Sequence, residues 1–151
     1  MKKILLALII VILFGWVVYD NRRPAEEVQN NSLVATTTIS VNEKSDLIVV
    51  DTPISGATLN SPTSINGKAR GQWFFEASFP IELQDLQGNV LETVVAQAEG
   101  EWMTTDFVPF TASLLFTKPS SPMQALLVFK KDNPSGLPEH DDSIKIPVTI
   151  Q

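Results

Sequence analysis

Side chains that could carry out chemistry concentrate in two stretches of this sequence. The first, GQWFFEASFPIELQD at residues 71–85, places the carboxylate of Glu76 directly after three aromatic residues. A carboxylate in apolar surroundings has a raised pKa and can serve as a general acid. The question is therefore whether Glu76 is a general acid surrounded by these rings or a surface carboxylate outside a hydrophobic core.

The alternation of this stretch favours a core wall. Side chains in a strand point to opposite faces in turn. The odd positions are all apolar: Trp73, Phe75, Ala77, Phe79, Ile81 and Leu83. Glu76 falls on the other face with Phe74 and Glu82, which predicts a solvated or cross-strand-paired carboxylate. On this pattern Phe75 belongs to the core and Phe74 points outward.

The second stretch, KKDNPSGLPEHDD, contains the single histidine, His140, five residues after Ser135. A serine nucleophile needs a histidine base and an orienting carboxylate in a defined geometry, which neighbours on one loop do not supply. The sequence has no G-x-S-x-G elbow. It has no cysteine, so a thiolate nucleophile, a disulfide and a zinc–thiolate site are excluded. We predict no enzyme, no catalytic residue, no cofactor and no small-molecule substrate.

The same stretch holds the densest acidic cluster, formed by Asp132, Glu139, Asp141 and Asp142. Carboxylates on a loop suit Ca²⁺, but the spacing is not that of an EF-hand. Asn-Pro and Ser-Gly pairs indicate a hydrophilic turn, so we assign no metal ligand. The alternative is a Ca²⁺-dependent adhesive or enzymatic domain that uses this 132–142 acidic loop.

The N-terminus is of a different kind. Residues 4–19 contain no charge, Lys2 and Lys3 precede them, and Arg22 and Arg23 follow. Trp16 and Tyr19 suit a membrane interface, and no A-x-A cleavage site follows. We therefore predict an uncleaved signal-anchor helix over residues 1–19, crossing the membrane once through residues 4–19, with the C-terminal part outside.

A polar tether and a domain follow the anchor. Residues 20–46 show no periodicity and predict a flexible tether of about 30 Å, with SLVATTTISV as a stretch that could form a strand. Charges balance over residues 1–46, so the net −6 lies on residues 47–151. Such an acidic domain does not suit a nucleic-acid partner.

Residues 47–151 consist of short apolar runs separated by turn signals. About seven runs have strand character: LIVVDTP, TSINGKAR, WFFEASFPIELQD, VLETVVAQAEG, FVPFTASLLFTK, QALLVFKKD and SIKIPVTI. This spacing predicts an all-β antiparallel sandwich. In the fifth run one apolar face holds Val108, Phe110, Ala112, Leu114 and Phe116.

The QALLVFKK run is apolar on both faces, with Leu126 and Val128 opposing Leu127 and Phe129. This predicts a strand covered on both faces, or an exposed patch for a partner.

Several short motifs follow one another along IVVDTPISGATLNSPTSINGKARG, WFFEASFPIELQDLQGNVL and DNPSGLPEHDDSIKIPV. They are P-x-x-G, S-P before a strand with G-x-A, a Phe-Glu pair, D-x-x-G, and P-S-G before the last strand. In this order over residues 47–150 they resemble the Gmad2 family, the immunoglobulin-like domain of bacterial spore-germination proteins.

The resemblance implies an immunoglobulin-like sandwich on the outer side of a bacterial membrane and supplies no enzymatic residues. With the anchor and tether, it leads us to expect a single-pass protein of the bacterial cell membrane with an extracytoplasmic, non-enzymatic module. Its expected partner is an envelope or cell-surface protein or a wall component. Neither the sequence nor the resemblance assigns the binding residues.

The anchor can be tested on intact cells. We expect the mature protein to begin at the original N-terminus, because bulky Val17, Val18 and Tyr19 are poor signal-peptidase substrates. External protease should digest the domain while the N-terminal fragment stays with the membrane fraction. N-terminal sequencing that starts near residue 20 or beyond would show a cleaved signal, and protection from protease would place the domain inside the cell.

Overall fold

The structure, a computed structural model, describes residues 44–151. The predicted anchor and residues 20–43 of the predicted tether lie outside the described residues. Within residues 44–151 no helix has the length and apolar character needed to span a membrane.

Eight strands make up the described chain, and their runs of apolar residues alternate with turns as the sequence indicates. Their bounds are β1 Ile48–Thr52, β2 Thr58–Leu59, β3 Thr63–Arg70, β4 Ser78–Asp85, β5 Val90–Ala98, β6 Phe107–Leu114, β7 Met123–Lys130 and β8 Ser143–Ile150. Two single-turn 3₁₀ helices occur at Gly71–Trp73 and Pro138–His140.

The strands form one hydrogen-bonded sheet in the order β1-β3-β6-β5-β4-β7-β8-β2. Every pair is antiparallel except β2 with β8. The prediction of an all-β fold is confirmed, with eight strands in place of about seven. The added strand is β2, whose two residues lie between the first two predicted strands.

The sheet curls until its two halves face each other across the core. The Phe110 ring of β6 lies 4.9 Å from the Phe79 ring of β4 and 6.2 Å from the Phe129 ring of β7, measured between centroids. Neither β4 nor β7 is next to β6 in the sheet, so these contacts cross the interior. Strand β5 makes the curl, since it pairs with β4 and then, through Gln97 and Ala98, with β6.

The core follows the predicted faces over most of the chain. All five residues assigned to the core face of the fifth run are buried, and so are Phe79, Ile81 and Leu83. Val128 of β7 is buried on the opposite face, where its register neighbours are Glu82 and Lys145. Long side chains cover apolar surface with their aliphatic stems. On that face Val128 is buried and Leu126 is half-buried, so β7 is largely covered on both faces and the exposed-patch alternative is not observed there.

The predicted third strand is wrong at its start. It was expected to begin at Trp73, but β4 begins at Ser78, and the backbone of Phe75 and Ser78 exchanges two hydrogen bonds of 3.0 and 3.1 Å. The two residues between them, Glu76 and Ala77, have φ angles of 49° and 61°. Positive φ at both central positions is the geometry of a type I′ hairpin turn.

This turn breaks the alternation on which the predicted core face depended. Phe74 is 4% exposed and packs edge-on against Phe79 at 5.3 Å, whereas Phe75 is 41% exposed. The assignment of Phe75 to the core and Phe74 to the surface is therefore wrong. Trp73 is buried as predicted, and Glu76 is exposed, as predicted for a solvated carboxylate.

Truncating each ring tests this correction. Phe74→Ala should lower the free energy of unfolding by about 3–5 kcal/mol, because it leaves a cavity beside Phe79. Phe75→Ala should change it by about 0.5 kcal/mol or less, as is usual for surface positions. Urea denaturation of the two variants measures both values. Equal losses, or a larger loss at Phe75, would show that the chain continues as a strand through residues 73–77.

Candidate binding surface

Three loops and the first described residues meet at one end of the curled sheet. Because neighbouring strands are antiparallel, β3, β5 and β7 end where β4, β6 and β8 begin. Residues 71–77, 99–106 and 131–142 connect these strands, and residues 44–47 lead into β1 beside them. We call these four segments the loop end.

The first two loops are held together by a backbone hydrogen bond, by the Arg70 side chain and by a close backbone approach. The Gly71 N–H donates to the Asp106 carbonyl at 3.2 Å, and Arg70 Nη1 donates to the Thr105 carbonyl at 3.1 Å. A Cβ at residue 71 would lie 2.0 Å from the Thr104 carbonyl oxygen and 2.2 Å from that of Trp102. Only glycine permits this approach.

The third loop is attached to the first loop and to the start of the described chain. The Asp132 N–H donates to the Trp73 carbonyl at 3.0 Å. Lys44 forms an ion pair with Asp142 and donates to the Ser143 carbonyl at 3.2 Å. Residue 44, which the sequence analysis places in the tether, thus contacts the domain. Loops fixed in this way lose little conformational freedom when a partner binds.

The structure brings Ser135 and His140 together, with 3.0 Å between Oγ and Nδ1. Ser135 Oγ also donates to Asn133 Oδ1 at 2.5 Å and accepts from the Leu137 N–H at 3.3 Å. The hydroxyl therefore closes a turn within its own loop. Asp141, one of the two carboxylates next to His140 in the sequence, accepts instead from Asn133 Nδ2 at 2.7 Å.

The acidic residues of the 132–142 loop do not converge. Asp142 pairs with Lys44, Asp141 with Asn133, and Glu139 is exposed. Across residues 44–151 no group of three or more His, Cys, Asp or Glu side chains is placed to hold a metal ion. The carboxylates that a Ca²⁺ site would need therefore contact different partners and do not face a common point.

The loop end exposes apolar side chains beside two clefts. Phe75, Met103 and Leu137 are exposed, one from each loop. A cleft of about 370 Å³ lies between residues 72–75 and 131–140, and a cleft of about 440 Å³ lies between residues 71–74 and 102–105. Phe74 lines both clefts. Another cleft of about 500 Å³ is lined by residues 52–64 alone and has no charged residue in its wall.

The loop end also concentrates the negative charge of the protein. Its four segments contain nine carboxylates and two lysines, a net charge of −7 against −6 for the whole chain. The carboxylates are Asp46, Glu76, Glu99, Glu101, Asp106, Asp132, Glu139, Asp141 and Asp142. The rest of the chain therefore sums to +1.

Sequence reasoning assigned no binding residue, and it missed the loop end. It placed Phe75 in the core and gave Met103 and Leu137 no role. Exposed aromatic and methionine residues between turn signals were the available signal, but the sequence does not show which loops meet.

Two carboxylates outside the loop end have lowered pKa values. Burial raises the pKa of Glu82, but hydrogen bonds from Lys130 at 3.0 Å and Gln84 at 2.6 Å outweigh it, so the net pKa is lowered. The Asn89 side chain and N–H hold the pKa of Asp85 below its ordinary value. Both carboxylates stabilise the fold. Glu82 links β4 to β7 through Lys130, and Asp85 accepts hydrogen bonds in the turn before β5.

Comparison with protein families matches residues 47–136 to Gmad2, described as the immunoglobulin-like domain of bacterial spore germination. The match spans more than half of the chain, and the chain belongs to this family. Neither the curated proteins nor the solved structures that were compared give a match.

The motifs that carry the family likeness build turns and joints in this structure. Gly56 of P-x-x-G has a φ of 81° and donates to the Pro147 carbonyl at 2.8 Å. Ser61 of S-P accepts from the Phe116 N–H at 2.9 Å through its Oγ. Asp85 of D-x-x-G accepts from the Gln87 and Asn89 N–H groups at 2.9 and 2.8 Å. These three motifs therefore shape the frame of the domain, whereas the Phe-Glu pair and P-S-G lie in the loop end.

Proposed function

We propose that this protein is a membrane-tethered, extracytoplasmic, non-enzymatic immunoglobulin-like module that binds a protein or wall component of the bacterial envelope. The uncharged run at residues 4–19 supports membrane attachment and the extracytoplasmic location. The family description, which names bacterial spore germination, supports an envelope setting.

The observation that carries the binding proposal is the composition of the loop end. Phe75, Met103 and Leu137 come from three different loops and are exposed together on an end whose backbone is internally hydrogen-bonded. Aromatic and methionine side chains are enriched in protein interfaces. A fixed scaffold that presents variable loops is also the usual way in which immunoglobulin-like domains bind partners.

The charge of the loop end defines the chemistry of the partner. A surface with nine carboxylates and two lysines repels phosphate groups and anionic lipid headgroups. It attracts a basic surface, and the exposed apolar residues require apolar side chains among those basic groups. The proposed partner is therefore a basic protein segment or an amine-bearing wall polymer with apolar groups.

The non-enzymatic part of the proposal is supported by the engagement of Ser135. Its hydroxyl is held by Asn133 and Leu137 within the loop, and Asp141 is held by Asn133. The Ser135 hydroxyl and the Asp141 carboxylate, which could have served as a nucleophile and an orienting acid, therefore hold the loop closed.

Paired substitutions at the two ends of the domain test the proposal. The loop-end variant combines Phe75→Ser and Met103→Ser, and the control combines Ile54→Ser and Leu115→Ser, which are similarly exposed elsewhere. Crosslinking in intact cells, followed by purification, should recover a partner with wild type and control, and several-fold less with the loop-end variant. Recovery should also fall as ionic strength rises, because the attraction is screened by salt.

Equal recovery from both variants would place binding elsewhere on the domain. A wild-type protein that captures no partner, and instead turns over a substrate, would overturn the proposed function.

A further inference from the structure

Strand β5 has one paired edge and one largely open edge. On one side it pairs with β4 from Val90 to Gln97. On the other side its pairing with β6 is limited to Gln97 and Ala98. Strand β6 continues to pair with β3 as far as Leu114, so β5 and β6 separate. Among residues 44–151, no strand covers the open edge over residues 90–96.

The register shows which backbone groups face this edge. The Ala98 N–H donates to Ala77 on the β4 side, and the Glu99 N–H donates to Pro109 on the β6 side. Backbone groups alternate direction along an antiparallel strand. Thr93 and Val95 therefore direct their N–H and carbonyl groups to the open edge, while at Leu91 the register of β5 against β4 shifts by one residue. Consistent with this direction, the Thr93 N–H donates to Oε1 of the preceding residue, Glu92, at 3.1 Å, and not to a neighbouring strand.

The open edge is also the apolar one. Val90, Leu91 and Val95 are 53%, 43% and 49% exposed, and every exposed large apolar residue that lies within a described strand belongs to β5. Short length, charge and proline protect the edges of natural sheets. Other free edges have such protection: β1 and β2 have five and two residues, and β8 carries Lys145 and Pro147. The matching open edge of β6 is limited to residues 112–114.

We propose that the open edge of β5 is a docking site for a second copy of this chain, which adds its own β5 antiparallel about a twofold axis at Thr93. The strand complements itself in this register. Leu91 opposes Val95 of the second copy, and Glu92 opposes Val94, so no two like charges face each other directly. The N–H and carbonyl groups of Thr93 in each copy then pair with those of Thr93 in the other copy.

Glu92 regulates this pairing. It is the only charged residue between Val90 and Val95, and its carboxylate occupies the N–H of Thr93 that the second copy requires. Pairing must displace this contact, so the dimer is weak and transient. Such a charge keeps an exposed apolar edge from uncontrolled association.

The absence of cysteine from the chain allows a direct test by single-cysteine crosslinking. In the proposed register the two Thr93 Cα atoms lie about 5.5 Å apart, which is within the range of a disulfide. The two Leu91 Cα atoms would lie four residues apart along the strands, about 13 Å. Full-length Thr93→Cys in membranes should therefore form a disulfide-linked dimer on mild oxidation, and equally exposed Leu91→Cys should not.

A mixture of two single-cysteine chains and a variant without the Glu92 carboxylate complete the experiment. Leu91→Cys and Val95→Cys chains should crosslink when mixed, since these residues oppose each other. Glu92→Ala in the Thr93→Cys chain should raise the dimer yield several-fold, with melting temperatures confirming that each variant is folded. Equal yields from Thr93→Cys and Leu91→Cys would overturn the proposal, as would the absence of dimer from both, which would show the edge to be covered by other residues of the chain.

Discussion

The close approach of three strands at Gly67 is the constraint on which the rest of the structure depends. A Cβ at this position would lie 2.2 Å from the Val49 carbonyl oxygen of β1 and 2.8 Å from Cζ of Phe110 on β6. The missing side chain leaves space for the Phe110 ring, which then reaches Phe79 and Phe129 on the opposite half of the sheet. The curl of the sheet is thus built around one ring and the glycine beneath it, and this glycine is the first residue of the family's G-x-A motif.

Both candidate interaction surfaces follow from this curl. Strand β5 must pass from β4 to β6 to join the two halves, and a strand that changes partners leaves part of one edge open. The same closure gathers three loops and the start of the described chain at one end, where their carboxylates and exposed apolar residues become neighbours. The P-x-x-G, S-P and D-x-x-G motifs hold this frame, while the Phe-Glu and P-S-G motifs lie in the loop end.

Much of the frame could be predicted from the sequence, because most strands are long enough to show alternation. Phe110 and its neighbours in β6 were assigned to the correct face, and TSINGKAR matches β3 in full. The turn at Glu76 and Ala77 could not be predicted, since positive φ angles there occur without the Gly or Asn that usually signals them. Strand β2 has only two residues, too few for any period. The loop end depends on which loops meet after folding, and composition does not contain that information.

A Gly67→Ala substitution measures the central constraint most directly. In an ordinary strand this change is stabilising by about 0.5–1 kcal/mol, because alanine has less backbone freedom to lose. Here the added methyl group meets a backbone oxygen and a core ring, and overpacking of this kind lowers stability by about 1–3 kcal/mol. Urea unfolding of Gly67→Ala, beside Asn66→Ala as an exposed control in the same strand, should show a loss at Gly67 well beyond that of the control. An unchanged or increased free energy of unfolding for Gly67→Ala would contradict the account.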